Sequence, residues 1–331
     1  MSCCIMLLRR PTGRATARQE MLTPLTKRYI LEVLFPRSLG GLTRALLALF
    51  AGLCLTGQAA AQMDFSGEWT AVPAQANVEN PQIGEYAGLP MNDEALRRAE
   101  IWDPAIESLP VWQCRPQTGA SIKLGPSALR ISKLIDGSSR ELVAFQAEWL
   151  RSGGVPIYLD GRPHPPGHAA HSWGGFSTGV WIGDMLKVTT THLKEGYYRR
   201  NGVPQSDRAE LTEYLIRRRF RGKDYLTWVV IANDPVYLTE PLVRSGEYRL
   251  DPARSLEPYP CALVKPVNGS DDLVPSYPPG ANEQIHNFAD GYGLPRRIVA
   301  DGAATMYPEF RAVLAEGQTG TQAPAVGVVQ P

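Results

Sequence analysis

The chain has 331 residues, 44% of them hydrophobic and 20% charged, with 34 basic and 33 acidic side chains and a formal net charge of +1. Eight of the basic and two of the acidic residues fall within the first 61, so the remainder carries about −5. A mildly acidic surface of that kind is not built to neutralise phosphates, which argues against a nucleic-acid partner, and the 270 residues beyond position 61 suffice for one large core or two small domains.

The amino terminus reads as an export leader. Thr43 to Leu55, TRALLALFAGLCL, is a short apolar run behind Arg37 and Arg44, and the small residues Ala59, Ala60 and Ala61 follow it in the layout of a signal peptide. About a dozen apolar residues are too few to cross a bilayer, so no stable membrane span is expected after cleavage, which is placed after Ala61. The residues ahead of Arg37 exceed what such a leader needs, and a start assigned too far upstream accounts for them. Residues 1–61 are therefore read as leader, 62–316 as a single β-rich domain and 317–331 as a disordered tail. The expected location is periplasmic or secreted.

The mature chain opens with DFSGEWT, a Gly-x-Trp sequence at Gly67 and Trp69 on what should be the first strand. It resembles the opening of lipocalin-like calycin barrels, in which such a tryptophan lies across the closed barrel end under an arginine from a late strand. The resemblance implies that Arg244 or Arg249 supplies that arginine. Further on, Asn92 or Asp93 is placed to cap a short helix through EALRRAEIW, because a side-chain oxygen there satisfies a free amide of the first turn. Trp102 and Trp112 would serve as apolar anchors near it. Only two cysteines lie beyond the leader, Cys114 in WQCRP and Cys261 in EPYPCALV. Two cysteines in an oxidising compartment tend to pair, and a bridge across about 147 residues would contribute about 4–5 kcal/mol by the loop-entropy argument.

Strand patterns follow in quick succession in SALRISKLI, ELVAFQAEWL and PIYLD. They are short runs rich in Val, Ile, Tyr, Trp and Phe, broken by Gly, Asp and Pro, which favours antiparallel structure over βαβ repeats. The segment from Asp160 to Pro241 reads as a β-meander carrying a polar cluster. Gly183 and Asp184 separate FSTGVWI from MLKVTTTH as a tight hairpin turn, and RGKD joins ELTEYLIRRRF to YLTWVVIAN in the same manner. Arg217 to Arg219 are expected on an exposed strand edge.

The candidate site lies in this meander. Alternation puts Leu186, Val188, Thr190 and His192 on the more apolar face of one strand, so His192 is expected at the inner end, near a cavity mouth. Acid-base chemistry would use His192, Glu195 and His171, with Asp207 or Glu213 as partners. Arg199, Tyr197, Trp173 and Tyr237 are the candidate ligand-binding residues, the arginine holding a polar or anionic head and the rings holding the rest. His164, His168 and His171 have a spacing open to metal ligation, but they lie in the Pro-rich loop PHPPGHAAH, which fixes no geometry, so no metal is expected. Absence of a phosphate-binding Gly loop and a dinucleotide fingerprint argues against P-loop enzymes and Rossmann oxidoreductases, and no cofactor is implied.

The chain also resembles a group of uncharacterised exported bacterial proteins through DFSGEW, LPVWQCRP from Leu109 to Pro116, DGRPHPP, the long GFSTG to LTE stretch and DPVYLTEP. That resemblance implies export and a calycin-like barrel. The fold expectation is a mostly β, antiparallel calycin- or lipocalin-like barrel or curved sheet with helical and loop additions. The functional expectation is an exported protein binding a small, partly apolar ligand in a β-barrel cavity. The alternatives are a cofactor-free hydrolase, lyase or isomerase using histidine and carboxylate groups, and a structural envelope protein with a filled barrel.

Overall fold

A computed structural model describes residues 63–72, 81–122, 128–149, 152–256, 261–263 and 274–318. The expected leader lies outside the described residues, as does the expected tail apart from Gly317 and Gln318, which end a helix. Among the described residues eleven strands follow one another along the chain. They are β1 (Gly67–Ala71), β2 (Leu129–Ile135), β3 (Leu142–Trp149), β4 (Ser152–Tyr158), β5 (Phe176–Ile182), β6 (Met185–Thr191), β7 (Gly196–Tyr197), β8 (Pro204–Gln205), β9 (Glu210–Phe220), β10 (Lys223–Asn233) and β11 (Leu242–Leu250). Nine of them close into a barrel in the order β1-β11-β10-β9-β6-β5-β4-β3-β2, with β1 bonded to both β11 and β2. The remaining two, β7 and β8, form a small hairpin inserted between β6 and β9.

The sheet is mixed, which corrects the expectation of an antiparallel barrel. β4 and β5 run parallel, with Ile157 opposite Ser177 and Tyr158 opposite Thr178. The cause is the intervening chain. Parallel neighbours need a crossover instead of a tight turn, and the Pro- and Gly-rich run DGRPHPPGHAAHSWGG turns the chain so that β5 begins beside the last residues of β4. The two expected hairpins are present. Ile182 pairs with Met185 across Gly183-Asp184, and Phe220 pairs with Lys223 across Arg221-Gly222. In the second, both turn residues have positive φ, 50° and 76°, the geometry whose twist matches the strands it joins.

Register fixes which side chains enter the barrel. Trp69 stands opposite Leu129 on one side and Leu250 on the other, and Trp228 stands between Leu215 and Gly246. Trp69, Leu129, Leu215 and Trp228, together with Phe145, Ile157, Leu186, Val188, Leu226 and Tyr248, are almost fully buried, so packed side chains fill the bore at the described inward positions. A polar ladder crosses it. The Glu213 carboxylate, fully buried, accepts from the Thr190 hydroxyl and the Trp228 indole N–H, both at 2.7 Å, and the hydroxyls of Ser177 and Thr190 lie 2.7 Å apart.

At one end Trp69 donates its indole N–H to the Phe65 carbonyl, and an arginine guanidinium lies 5.6 Å from its ring centre. That arginine is Arg217, on β9, where Arg244 or Arg249 was expected. Arg217 is in register with Leu226, at the Trp69 end of β10, whereas Arg244 pairs with Val230 farther along and Arg249 shares the outward face of Thr70. β6 stops pairing with β9 at Leu215, which leaves Arg217 able to turn over the barrel end and donate to the Asp64 carbonyl.

The opposite end is plugged by the excursion between β6 and β9. Tyr198, Asn201, Val203 and Gln205 are buried there, and Asp234, at the end of β10, accepts from Ser206 N and Oγ at 2.8 and 2.7 Å and from the Tyr198 hydroxyl at 3.2 Å. Helix α1 (Asp93–Glu100) is capped by Asn92, whose side chain accepts from Ala95 N. Helix α2 (Pro110–Gln113) ends at Cys114, which is bonded to Cys261 as expected. Removing the Trp69 side chain is expected to destabilise the fold by about 3–5 kcal/mol, because the ring is fully buried between strands and cannot be replaced by collapse. Urea unfolding of Trp69→Ala, read as a lowered midpoint, checks this.

Candidate functional site

The histidine loop packs on the outside of the barrel. Thr178 on β5 and Thr191 on β6 point away from the bore, and the His164 ring lies between them, with Nε2 2.8 Å from Thr178 Oγ1 and Nδ1 2.7 Å from Thr191 Oγ1. Thr191 Oγ1 also lies 2.7 Å from His192 Nδ1, and His192 Nε2 lies 3.0 Å from the Pro166 carbonyl. A carbonyl only accepts, so His192 carries its hydrogen on Nε2. With both rings neutral the remaining hydrogens then run one way. Thr191 donates to His192 Nδ1, His164 Nδ1–H donates to Thr191, and Thr178 donates to His164 Nε2. Burial lowers the His164 pKa below its ordinary value of 6.5, the neighbouring His192 lowers it further, and Glu210 offsets part of this.

The face expected to end at His192 is inward as far as Thr190. At His192 the backbone turns left-handed, φ 57°, and alternation stops, so the ring leaves the barrel interior for the loop. His171 bonds through Nδ1 to the Leu193 carbonyl at 2.8 Å, and its ring centre lies 5.2 Å from that of His192. Both rings line a cleft of about 680 Å³ with Thr191, Asp207, Glu210 and Asp234. Glu195 does not join them. Its carboxylate accepts from Arg98 at 2.7 Å and from the Tyr237 hydroxyl at 3.4 Å. The histidines and Glu195 are therefore brought to different clefts. His164, His168 and His171 do not converge either, since both His164 nitrogens bond to threonines and His168 is exposed. Among the described residues no group of three or more His, Cys, Asp or Glu is arranged to hold a metal.

A second cleft, of about 700 Å³, lies at the rim of the barrel between α1, the chain from Trp102 to Arg115, the β7–β8 hairpin and residues 274–280. Its wall is aromatic. Tyr197 lies 6.2 Å from Trp102 and 5.9 Å from Trp112, centre to centre. Gly202 makes the Trp102 position possible, because a Cβ there would fall 2.5 Å from the Trp102 Cβ and its φ of 87° suits glycine. Trp102 is fixed from the other side by pairing with Ser276. Burial raises the Tyr197 hydroxyl pKa, with Arg115 opposing the shift.

Arg115 is the charged group of this cleft. Its guanidinium carbon lies 3.8 Å from the ring centre of Trp112 and 4.0 Å from that of Trp173, and one N–H donates to the Glu195 carbonyl oxygen at 3.0 Å. Lys194 approaches Trp173 as well, at 4.9 Å. The other arginines that border the cleft are neutralised. Arg98 and Arg97 pair with Glu94, Arg98 also with Glu195, and Arg200 with Glu107. Arg115 has no carboxylate partner among the described residues, and burial lowers its pKa.

Of the expected ligand-binding residues, Tyr197 lines this cleft and Trp173 stacks on its arginine. Tyr237 supports it from behind. Its hydroxyl reaches Glu195, its ring lies 5.1 Å from the Arg98 guanidinium, and its pKa is pushed up to about 12 by burial and the Glu195 charge. Arg199 is committed elsewhere, donating to the Glu85 carboxylate at 2.8 Å and its carbonyl at 3.1 Å. Arg115 takes the place that Arg199 was expected to fill. The sequence carried a signal for this in WQCRP, where an arginine directly follows a cysteine expected to be bridged.

Comparison with protein-family models, with curated proteins and with solved structures finds no match to this chain.

Two outcomes are expected. The folded state holds His164 neutral, so as pH falls through 6.5 the unfolded chain takes up this proton first; the contribution to stability is full above that value and is lost below it. Between pH 7.5 and 5.0 the wild type should therefore lose more melting temperature than His164→Gln, as read by thermal denaturation. Replacing Cys114 and Cys261 together by serine should lower stability by roughly 2–5 kcal/mol in chemical denaturation, and quenching of tryptophan fluorescence by acrylamide should increase because Trp112 lies two residues from the bridge.

Proposed function

We propose that this protein is exported and binds a small, partly apolar ligand, held in the rim cleft and not in the barrel bore. The observation that carries the reading is the aromatic wall of Trp102, Trp112 and Tyr197 beside a half-buried Arg115 that has no carboxylate partner among the described residues. Concave sites of a few hundred cubic ångströms, mostly apolar with a few placed polar groups, are the usual setting for small-molecule binding, and the volume of about 700 Å³ falls in that range. The filled bore moves the proposed site outward to the rim. Export is supported by the leader pattern and by the Cys114–Cys261 bridge, which suits an oxidising compartment. Among the described residues no helix is long and apolar enough to cross a membrane.

The alternative of a cofactor-free acid-base enzyme finds less support. The partners of His164, His171 and His192 are threonine hydroxyls and backbone carbonyls, and among the described residues no carboxylate is hydrogen-bonded to these imidazoles. A purely structural envelope protein would have the same filled bore, and a binding screen separates it from the proposed binder.

Native mass spectrometry and thermal-shift screening of the mature protein against a broad small-molecule library test the proposal. At least one compound is expected to bind the wild type and raise its melting temperature, and Tyr197→Ala should weaken that compound about tenfold, the effect of losing one aromatic contact face. No hit across the library, or hits indifferent to Tyr197, would contradict it.

A further inference from the structure

Resting on the rim-cleft reading, we infer that the ligand is an anion of a particular kind, a flat apolar molecule bearing a carboxylate that Arg115 receives in the plane of its guanidinium. Arg115 lies over two indoles, its guanidinium carbon 3.8 Å from the ring centre of Trp112 and 4.0 Å from that of Trp173. Contact with ring faces leaves the N–H edge of the guanidinium for a partner in its plane. A planar carboxylate matches that edge, because two parallel N–H···O bonds form in one plane, whereas a neutral amide offers one acceptor and no charge.

Charge around Arg115 points the same way. The Glu195 backbone carbonyl accepts from Arg115, while its carboxylate accepts from Arg98 and the Tyr237 hydroxyl and acts on Arg115 only through space. Lys194 adds a second positive charge at Trp173. A half-buried guanidinium with hydrogen-bond donors to spare and no carboxylate bonded to it among the described residues is costly unless an anion completes it. Burial lowers the pKa of Arg115, as expected for a charge of that sort. The aromatic wall then sets the rest of the ligand, since Tyr197 with Trp102 and Trp112 presents ring faces and edges suited to a flat hydrocarbon body.

Placement of the arginine is built into the chain. Arg115 follows Cys114, and the bridge to Cys261 fixes the end of α2, so the guanidinium is held before any ligand arrives. Preorganisation of that kind reduces the ordering cost of binding.

The test uses 2-naphthoate and 2-naphthamide, matched in shape and differing in charge, titrated into the mature protein by isothermal calorimetry and tryptophan fluorescence. 2-Naphthoate is expected to bind about tenfold or more tightly than 2-naphthamide, the ratio that one charge-assisted hydrogen bond supplies. Its affinity should fall with added NaCl while that of the amide holds. In Arg115→Gln the two affinities should converge, with the amide within about twofold of its wild-type value, and Arg115→Lys should keep part of the preference because it keeps the charge without the planar fork. Equal binding of both compounds to the wild type, or a preference that survives Arg115→Gln, would overturn the inference while leaving the cleft as a binding site. Failure of either compound to bind at all would overturn the cleft reading together with it.

Discussion

The fully buried carboxylate of Glu213 and the two groups that bond it, the Thr190 hydroxyl and the Trp228 indole, join three strands across the interior of the barrel. A carboxylate placed in a closed, packed bore is tolerated only when its oxygens are bonded, so β6, β9 and β10 are constrained to one register. The large rings fit around that constraint. Trp228 lies 5.4 Å from Trp149, and Leu186, Val230 and Tyr248 fill the space beside them. Interior volume is thus given to packing and to one satisfied polar ladder.

A filled bore leaves the rim as the place where concavity and unpaired charge meet. Two clefts of similar size occur there, and they differ in chemistry. In the one beside the histidine loop both imidazoles are already engaged with a hydroxyl or a backbone carbonyl, at a seam between a crossover loop and the barrel wall. The other combines ring faces with a guanidinium that the protein leaves without a counter-charge among the described residues. Its floor is the hairpin plugging the barrel end, and its front edge is held by the disulfide. The polar ladder, the plug and the bridge therefore act in series to place Arg115.

Much of the barrel was legible in the sequence because strands announce themselves locally. Alternation through Leu186, Val188 and Thr190, the Gly183-Asp184 and Arg221-Gly222 turns, and the Asn92 cap all depend on near neighbours. Long-range pairing was less accessible. The direction of β5 relative to β4 depends on how a Pro-rich loop crosses the sheet, and the choice of Arg217 over Trp69 depends on register between β9 and β10. The site was partly legible for the same reason. Tyr197 stands out in the sequence from the crowded loop after Glu195, yet Arg115 is separated from it by some eighty residues and is brought close by folding and by the bridge. His192 was misplaced because a positive φ ends the alternation that located it.

Whether a ligand sits at the rim or in the bore is read from the indole N–H resonances of the seven tryptophans in a heteronuclear NMR titration with 2-naphthoate. Signals of Trp102, Trp112 and Trp173 should shift progressively with ligand, while Trp69, Trp149 and Trp228 stay in place. Shifts led by Trp149 and Trp228 with the rim tryptophans silent would put the ligand inside the barrel and contradict the account.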